Sequence, residues 1–147
     1  MTNKASGPPQ KSRAKFIPGI AVSFRKTILW TLAILVLSFL PGRAFEKVNL
    51  LDISFQDLIV HFIMYAVFTF LLIKELSSGE GNYFFKKAGW IIPLLASSIL
   101  GLVTEMVQHF WISGRFGSLA DFIMNMSGSA AAILFCRLPR VRNRLNL

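Results

Sequence analysis

The chain has 147 residues, enough for one domain, and is 54% hydrophobic with 16% charged side chains and a mean hydropathy of +0.56. A soluble domain carries about 25% charged residues, so the composition points to a bilayer, and the net charge of +9 does not by itself argue for nucleic acid. The single Cys136 excludes an internal disulfide, which leaves packing to hold the fold, and its apolar flanks describe an inert thiol rather than a nucleophile.

Residues 1–18 are polar and basic and include Gly7, Pro8 and Pro9, and with Arg25 and Lys26 they make a basic tail over 1–26. Such a stretch cannot bury enough apolar surface to offset its ordering entropy, so a flexible tail is expected. Four apolar runs follow, at about 27–40, 58–73, 88–111 and 119–136. The first is extendable to Phe45 past Pro41, Gly42 and Arg43. The third carries Pro93 in its first turns, where a missing N–H is best tolerated. A helix needs about 20 residues to cross a hydrocarbon core of about 30 Å. Runs one, two and four are short without their flanks, so their polar end residues must sit at headgroup level or inside a bundle. The pattern predicts an all-α fold: a four-transmembrane-helix bundle over 27–136, followed by a basic tail at 137–147. A cleaved signal peptide is the alternative for run one. Its basic leader fits, but Pro41, Gly42, Arg43 and Ala44 match a small-x-small cleavage site poorly.

Thirteen of the 16 Lys and Arg fall in the N-terminal tail, between runs two and three, or in the C-terminal tail. Arg43, Lys47 and Arg115 occupy the other gaps. The positive-inside rule then predicts that both termini are cytoplasmic. The basic tails would lie against anionic headgroups, each charge contributing about 1 kcal/mol near the surface. In that orientation Asp57, His61, Glu105, Gln108, Asp121 and Asn125 all reach the outer end, and Arg115 lies in the outer loop.

At about 100° per residue, Asp57, His61, Tyr65, Phe68 and Leu72 share one stripe of run two. Ser98, Gly101, Glu105 and Gln108 share one of run three, and Asp121, Asn125, Gly128 and Ala132 one of run four. The small residues let helix backbones approach closely in a bilayer, so the stripes are expected to face one another. Run one has only Thr31 and Ser38 as polar marks and is expected to support the site without building it. Trp30, Trp90 and Trp111, near run ends, suggest an aromatic belt.

These residues resemble the VanZ-like family of bacterial membrane proteins. The family's Asp, followed four residues later by His-Phe and then a Tyr, reads here as Asp57, His61, Phe62 and Tyr65. Its Glu-x-x-Gln-x-Phe, then Arg, Ser, Asp, Asn and Gly, reads as Glu105, Gln108, Phe110, Arg115, Ser118, Asp121, Asn125 and Gly128. The stretch SFLPG at 38–42 is similar to the end of the family's first helix. Leu58 stands where the family usually has Lys, and Ala132 where it often has a second Gly. The resemblance implies a bacterial plasma-membrane protein with a cell-envelope role. The family is named for a protein that lowers susceptibility to the glycopeptide teicoplanin, and no settled reaction comes with it.

Ser118-x-x-Asp121 and Ser54-x-x-Asp57 each read as a capping box before an apolar run, with the acid near the positive helix end. Glu105 lies instead at a helix C-terminus, where the dipole opposes a negative charge. It must be paired, protonated or facing water, and Arg115 is its natural partner. Three acids sharing one Arg cannot all stay ionised without a further counter-charge. One acid carries a proton, His61 is cationic, or a cationic group binds. His61, Asp57 and Glu105 are donor types that suit zinc or manganese, but no H-E-x-x-H-type motif is present, and no metal or other cofactor is assigned. Gln108 and Asn125 read equally as interhelical glue, about 0.6 kcal/mol each, or as ligand-orienting amides. His109 reads as an interfacial histidine.

The expected function is an outward-facing pocket for a lipid-linked or other envelope molecule, lined by Asp57, His61, Tyr65, Glu105, Gln108, Arg115, Asp121 and Asn125. Arg115 would hold an anionic group. The expected partners are membrane lipids and a lipid-linked precursor, not nucleic acid. A membrane-embedded transferase or hydrolase using His61 or Glu105 for acid–base work is a second reading, although no G-x-S-x-G nucleophile motif occurs. An accessory subunit whose polar cluster only locks the helices together is a third.

Overall fold

Two prolines decide where helices stop. The computed structural model describes residues 24–40, 53–77, 90–112, 117–145 and 147, with 53–55 as backbone only. The helices are α1 (Arg25–Phe39), α2 (Ile53–Ser77), α3 (Ile91–Trp111), α4 (Leu119–Arg137) and α5 (Pro139–Leu145). Leu40, which precedes Pro41, turns out of α1 to φ −66°, ψ 134°, because the proline ring disfavours the helical region for its predecessor. Leu138 does the same before Pro139, at φ −59°, ψ 128°. Pro139 then opens α5, where its fixed φ suits the first helical position. Pro93 is the third residue of α3, among the first-turn donors that have no intrahelical acceptor.

Among the described residues every regular element is a helix, as the apolar periodicity predicts. Three stretches are long and apolar enough to cross a membrane: Gln56–Ser77, Ile91–Trp111 and Leu119–Arg137, of 22, 21 and 19 residues. The first run differs from expectation. With 15 residues, α1 is about 22 Å long, short of a hydrocarbon core of about 30 Å. The possible extension to Phe45 lies outside the described residues, as do the N-terminal tail, Lys47, Lys86, Lys87 and Arg115. The tail beyond residue 137 contains the short helix α5, with Arg140, Arg142 and Arg144.

The polarity of the bundle is the reverse of a water-soluble protein's. Ser97, Thr104, Gln108, Asn125 and Ser129 are buried, while Leu95, Ile99, Leu102, Ile123 and Leu134 are more than half exposed. In water such apolar faces would be a liability; in lipid they are solvated, and the buried polar groups supply helix-to-helix hydrogen bonds.

Helices α2 and α3 run antiparallel, joined by Tyr65 and Thr104, as do α3 and α4, joined by Ser97 and Ser129. Helices α2 and α4 run parallel, in contact from His61–Asn125 to the rings of Phe70 and Phe135, 6.5 Å apart. The start of α2, the end of α3 and the start of α4 therefore share one end of the bundle. Ile34 of α1 packs into a core with Met64, Tyr65, Phe68, Leu72 and Leu76 of α2. Cys136, fully buried, packs with Ile73 and Ile133.

Trp30 departs from the belt reading. It is half-buried, and its Nε1–H donates to the Met64 carbonyl at 2.9 Å, tying α1 to α2. Trp111 is exposed at the end of α3, and Trp90 lies under the Arg137 guanidinium at 5.2 Å, positions that suit a membrane–water boundary.

At Gly128, α4 passes against the backbone of α2. A Cβ there would overlap the Phe62 carbonyl oxygen and stand 3.1 Å from the Ala66 nitrogen. Both obstacles are backbone, so α2 and α4 would have to separate. Gly128→Ala is expected to destabilise the protein by about 1–3 kcal/mol, read as a lower unfolding midpoint in detergent. An unchanged midpoint would show that the crossing has room.

Candidate functional site

His61 is the residue on which three helices converge. Its Nδ1 lies 3.0 Å from Asn125 Oδ1 of α4 and 3.8 Å from Glu105 Oε1 of α3. Its Nε2 lies 3.9 Å from Asp57 Oδ1, one turn earlier on α2. Asp121 completes the group: one ligand-type atom from each of Asp57, His61 and Asp121 lies within 4.8 Å of the other two. Exposure falls steeply inward. The Asp57 side chain is 40% exposed and that of His61 4%, so the cluster opens outward past Asp57.

Five of the eight expected site residues, Asp57, His61, Glu105, Asp121 and Asn125, are thus brought together. Tyr65 and Gln108 are placed differently. Thr104 Oγ1 gives its proton to the Gly101 carbonyl at 2.9 Å, so the 2.9 Å contact with Tyr65 is donated by the Tyr65 hydroxyl. Tyr65 is fully buried. Gln108 Nε2 donates to the Ser38 carbonyl of α1 at 3.0 Å. Both side chains link helices, and through Ser38 the first run supports the site as expected. Arg115 lies outside the described residues.

Glu105 answers its electrostatic problem with a backbone donor. Its Oε2 accepts the Ser118 N–H at 2.9 Å. Ser118 is the N-cap of α4, and its hydroxyl accepts the Ala120 N–H at 3.1 Å. The carboxylate that the end of α3 disfavours therefore sits at the start of α4, where unsatisfied N–H groups and the dipole favour it. The Ser118 side chain caps α4 as the capping box predicts, and its N–H is given to Glu105. The fold-back needs Gly117, where a Cβ would overlap the Glu105 carbonyl oxygen. Ser54 is no N-cap, since it lies inside α2.

The opposite end of the bundle repeats the device. Glu75, near the end of α2, accepts the Lys26 and Thr27 N–H groups in the first turn of α1, at 2.9 and 3.2 Å. The residue before α1, Phe24, makes no side-chain cap; that was the one signal in the sequence that α1 needed an acid from elsewhere. Thr104, Ser97 and Ser129 also escaped the sequence reading. Ser129 donates to the Asn125 carbonyl at 2.9 Å, so Ser97 donates to Ser129. The buried serine of α3 is thus Ser97, while Ser98 is half-exposed. His109 is exposed, and its ring stands edge-on to Phe110.

Two buried polar atoms of the cluster have no hydrogen bond, Glu105 Oε1 and Asn125 Nδ2. An unsatisfied buried polar group costs about 1–3 kcal/mol.

The fold and the cluster together define an apolar helical protein of membrane type with an ionisable niche at one end. No family model, curated protein or solved structure matches the chain, so the VanZ-like resemblance rests on its motif residues.

Glu105→Ala removes the acceptor of the Ser118 N–H and is expected to cost about 1–3 kcal/mol, with faster amide exchange at Ser118 in hydrogen-exchange mass spectrometry. Glu105→Gln keeps an acceptor oxygen and is expected to retain most of the protection. Equal loss in both variants would show that the negative charge, rather than the hydrogen bond, matters at the start of α4.

Proposed function

We propose that this is a multi-pass bacterial plasma-membrane protein of the VanZ-like kind, with four spans and cytoplasmic termini, whose outward-facing cluster binds the head group of a lipid-linked cell-envelope molecule. The observation that carries the reading is the convergence of Asp57, His61, Glu105 and Asp121 at one end of an otherwise apolar bundle, open at Asp57. Intramembrane ionisable groups are costly and mark sites rather than filler. Asp57 and Asp121 would accept hydrogen bonds from hydroxyl or amine groups of the head group, and Arg115 would hold its anionic part. The motif residues support an envelope role, with glycopeptide susceptibility as the phenotype to examine first.

The accessory-subunit reading is favoured by a separate observation: Tyr65 and Gln108 spend their polar groups on neighbouring helices. The two readings part on mutation. In the binding reading, wild-type protein purified in mild detergent carries an envelope lipid identifiable by mass spectrometry, and Arg115→Ala loses it at unchanged membrane abundance. The same lipid at the same occupancy in both would remove Arg115 from the site. In the accessory reading, His61→Asn lowers abundance or heat resistance and leaves no separate activity to lose.

The topology has its own test. With Cys136→Ser as background, a cysteine introduced at residue 5 is expected to react with a membrane-impermeant maleimide only after permeabilisation. Labelling of intact cells would turn the cluster towards the cytoplasm.

A further inference from the structure

We propose that Asp57, His61 and Asp121 form a binding site for one divalent transition cation, of the zinc or manganese class. One candidate ligand atom from each residue lies within 4.8 Å of the others. Metal–ligand bonds of about 2.0–2.2 Å hold ligand atoms at most about 4.4 Å apart, so the group closes on an ion through small side-chain rotations. Two carboxylates and one imidazole balance a doubly charged cation, and the mixed oxygen and nitrogen donors suit zinc or manganese better than magnesium or calcium.

The surroundings of His61 are those of a metal ligand. Asn125 Oδ1 can only accept, so the 3.0 Å contact places a proton on His61 Nδ1. In the neutral ring this leaves the Nε2 lone pair on the side of Asp57. A ligating histidine characteristically gives its other N–H to an oxygen acceptor, which fixes the tautomer and the ring orientation.

A second, independent observation comes from α3. Glu105 is 7% exposed, and its Oε1 is buried without a hydrogen bond, 3.8 Å from His61 Nδ1. It is aimed at the ring from the side away from Asp57. A carboxylate oxygen in that place stabilises the positive charge that a cation draws onto the imidazole. This revises the donor set suggested by the sequence: Asp121 takes the place of Glu105, and Glu105 stands behind the histidine.

Three protein ligands leave coordination positions open, as in exchangeable sites rather than closed structural ones. They face outward past the half-buried Asp57. There a cation would take water or phosphate oxygens, which the bare carboxylates would repel. That last step rests on the head-group reading above; the cation site does not.

The test uses full-length protein purified in detergent, stripped with chelator and titrated separately with Zn²⁺ and Mn²⁺, without added lipid. Calorimetry and elemental analysis after dialysis are expected to find one ion per chain. Asp57→Asn and His61→Gln are expected to weaken binding at least tenfold, and Asn125→Ala, acting through the ring, by about 10–100-fold. His109→Gln, outside the ligand set, is expected to bind as wild type. Asp57 is partly exposed, so its variant keeps the test decisive if His61→Gln does not fold. Electron paramagnetic resonance of bound Mn²⁺ in wild type against Asp57→Asn gives a readout that a merely structural role would not move. Binding of neither ion, or binding unchanged in Asp57→Asn, overturns the proposal. Lipid retained by protein that binds no metal overturns this site alone, and metal bound by protein that retains no lipid overturns only the head-group reading.

Discussion

The contact on which the rest of the structure depends is the close passage of Gly128 against the Phe62 carbonyl. It brings two parallel helices to backbone separation, and one turn away it brings Asn125 within hydrogen-bond distance of His61. In lipid no hydrophobic force presses the helices together, so close packing and polar contacts must supply the association. A larger residue at 128 would lengthen the His61–Asn125 bond and loosen the ring that faces Glu105 and Asp57. Shape at one residue therefore governs electrostatics at another.

The two glutamates show a shared solution to a second constraint. Each lies near the end of an apolar helix, where its charge is unwelcome, and each is turned to the start of an antiparallel neighbour. Glu75 satisfies two backbone donors of α1, and Glu105 satisfies one of α4. An unpaired N–H group at a helix start costs several kcal/mol in a bilayer, and an unpaired carboxylate costs more. Each pairing removes both costs at once.

Much of this was legible in the sequence, and the failures have identifiable causes. The all-helical fold and the inward stripes of α2 and α4 follow from three- and four-residue spacing that begins on an ionisable residue. The stripe on α3 was read one residue off, because Ser97 and Ser98 are chemically identical and only the series 97, 101, 105 distinguishes them. Thr104 passed as an ordinary apolar-run threonine. The Ser118 N–H that Glu105 accepts was not legible, because side-chain charge is visible in a sequence whereas a backbone donor is not: every residue but proline has one, and only the fold aims it. Gln108 reads equally as interhelical glue or as a ligand-orienting amide, and its bond to the Ser38 carbonyl matches the first; Tyr65, expected in the pocket, bonds to Thr104 of the neighbouring helix. A fourth span at α1 is not shown, because Leu40 leaves the helix before Pro41 after 15 residues, fewer than the about 20 that cross a hydrocarbon core.

The position of α1 has a consequence for biogenesis. It is the first of the described helices in chain order, yet its opening N–H groups are met by Glu75 and its closing stretch by Gln108. Neither residue exists while α1 is being made. This 15-residue helix, shorter than α2, α3 and α4, thus waits for most of the chain before its ends are secured, and the insertion machinery must shelter it until the later segments arrive.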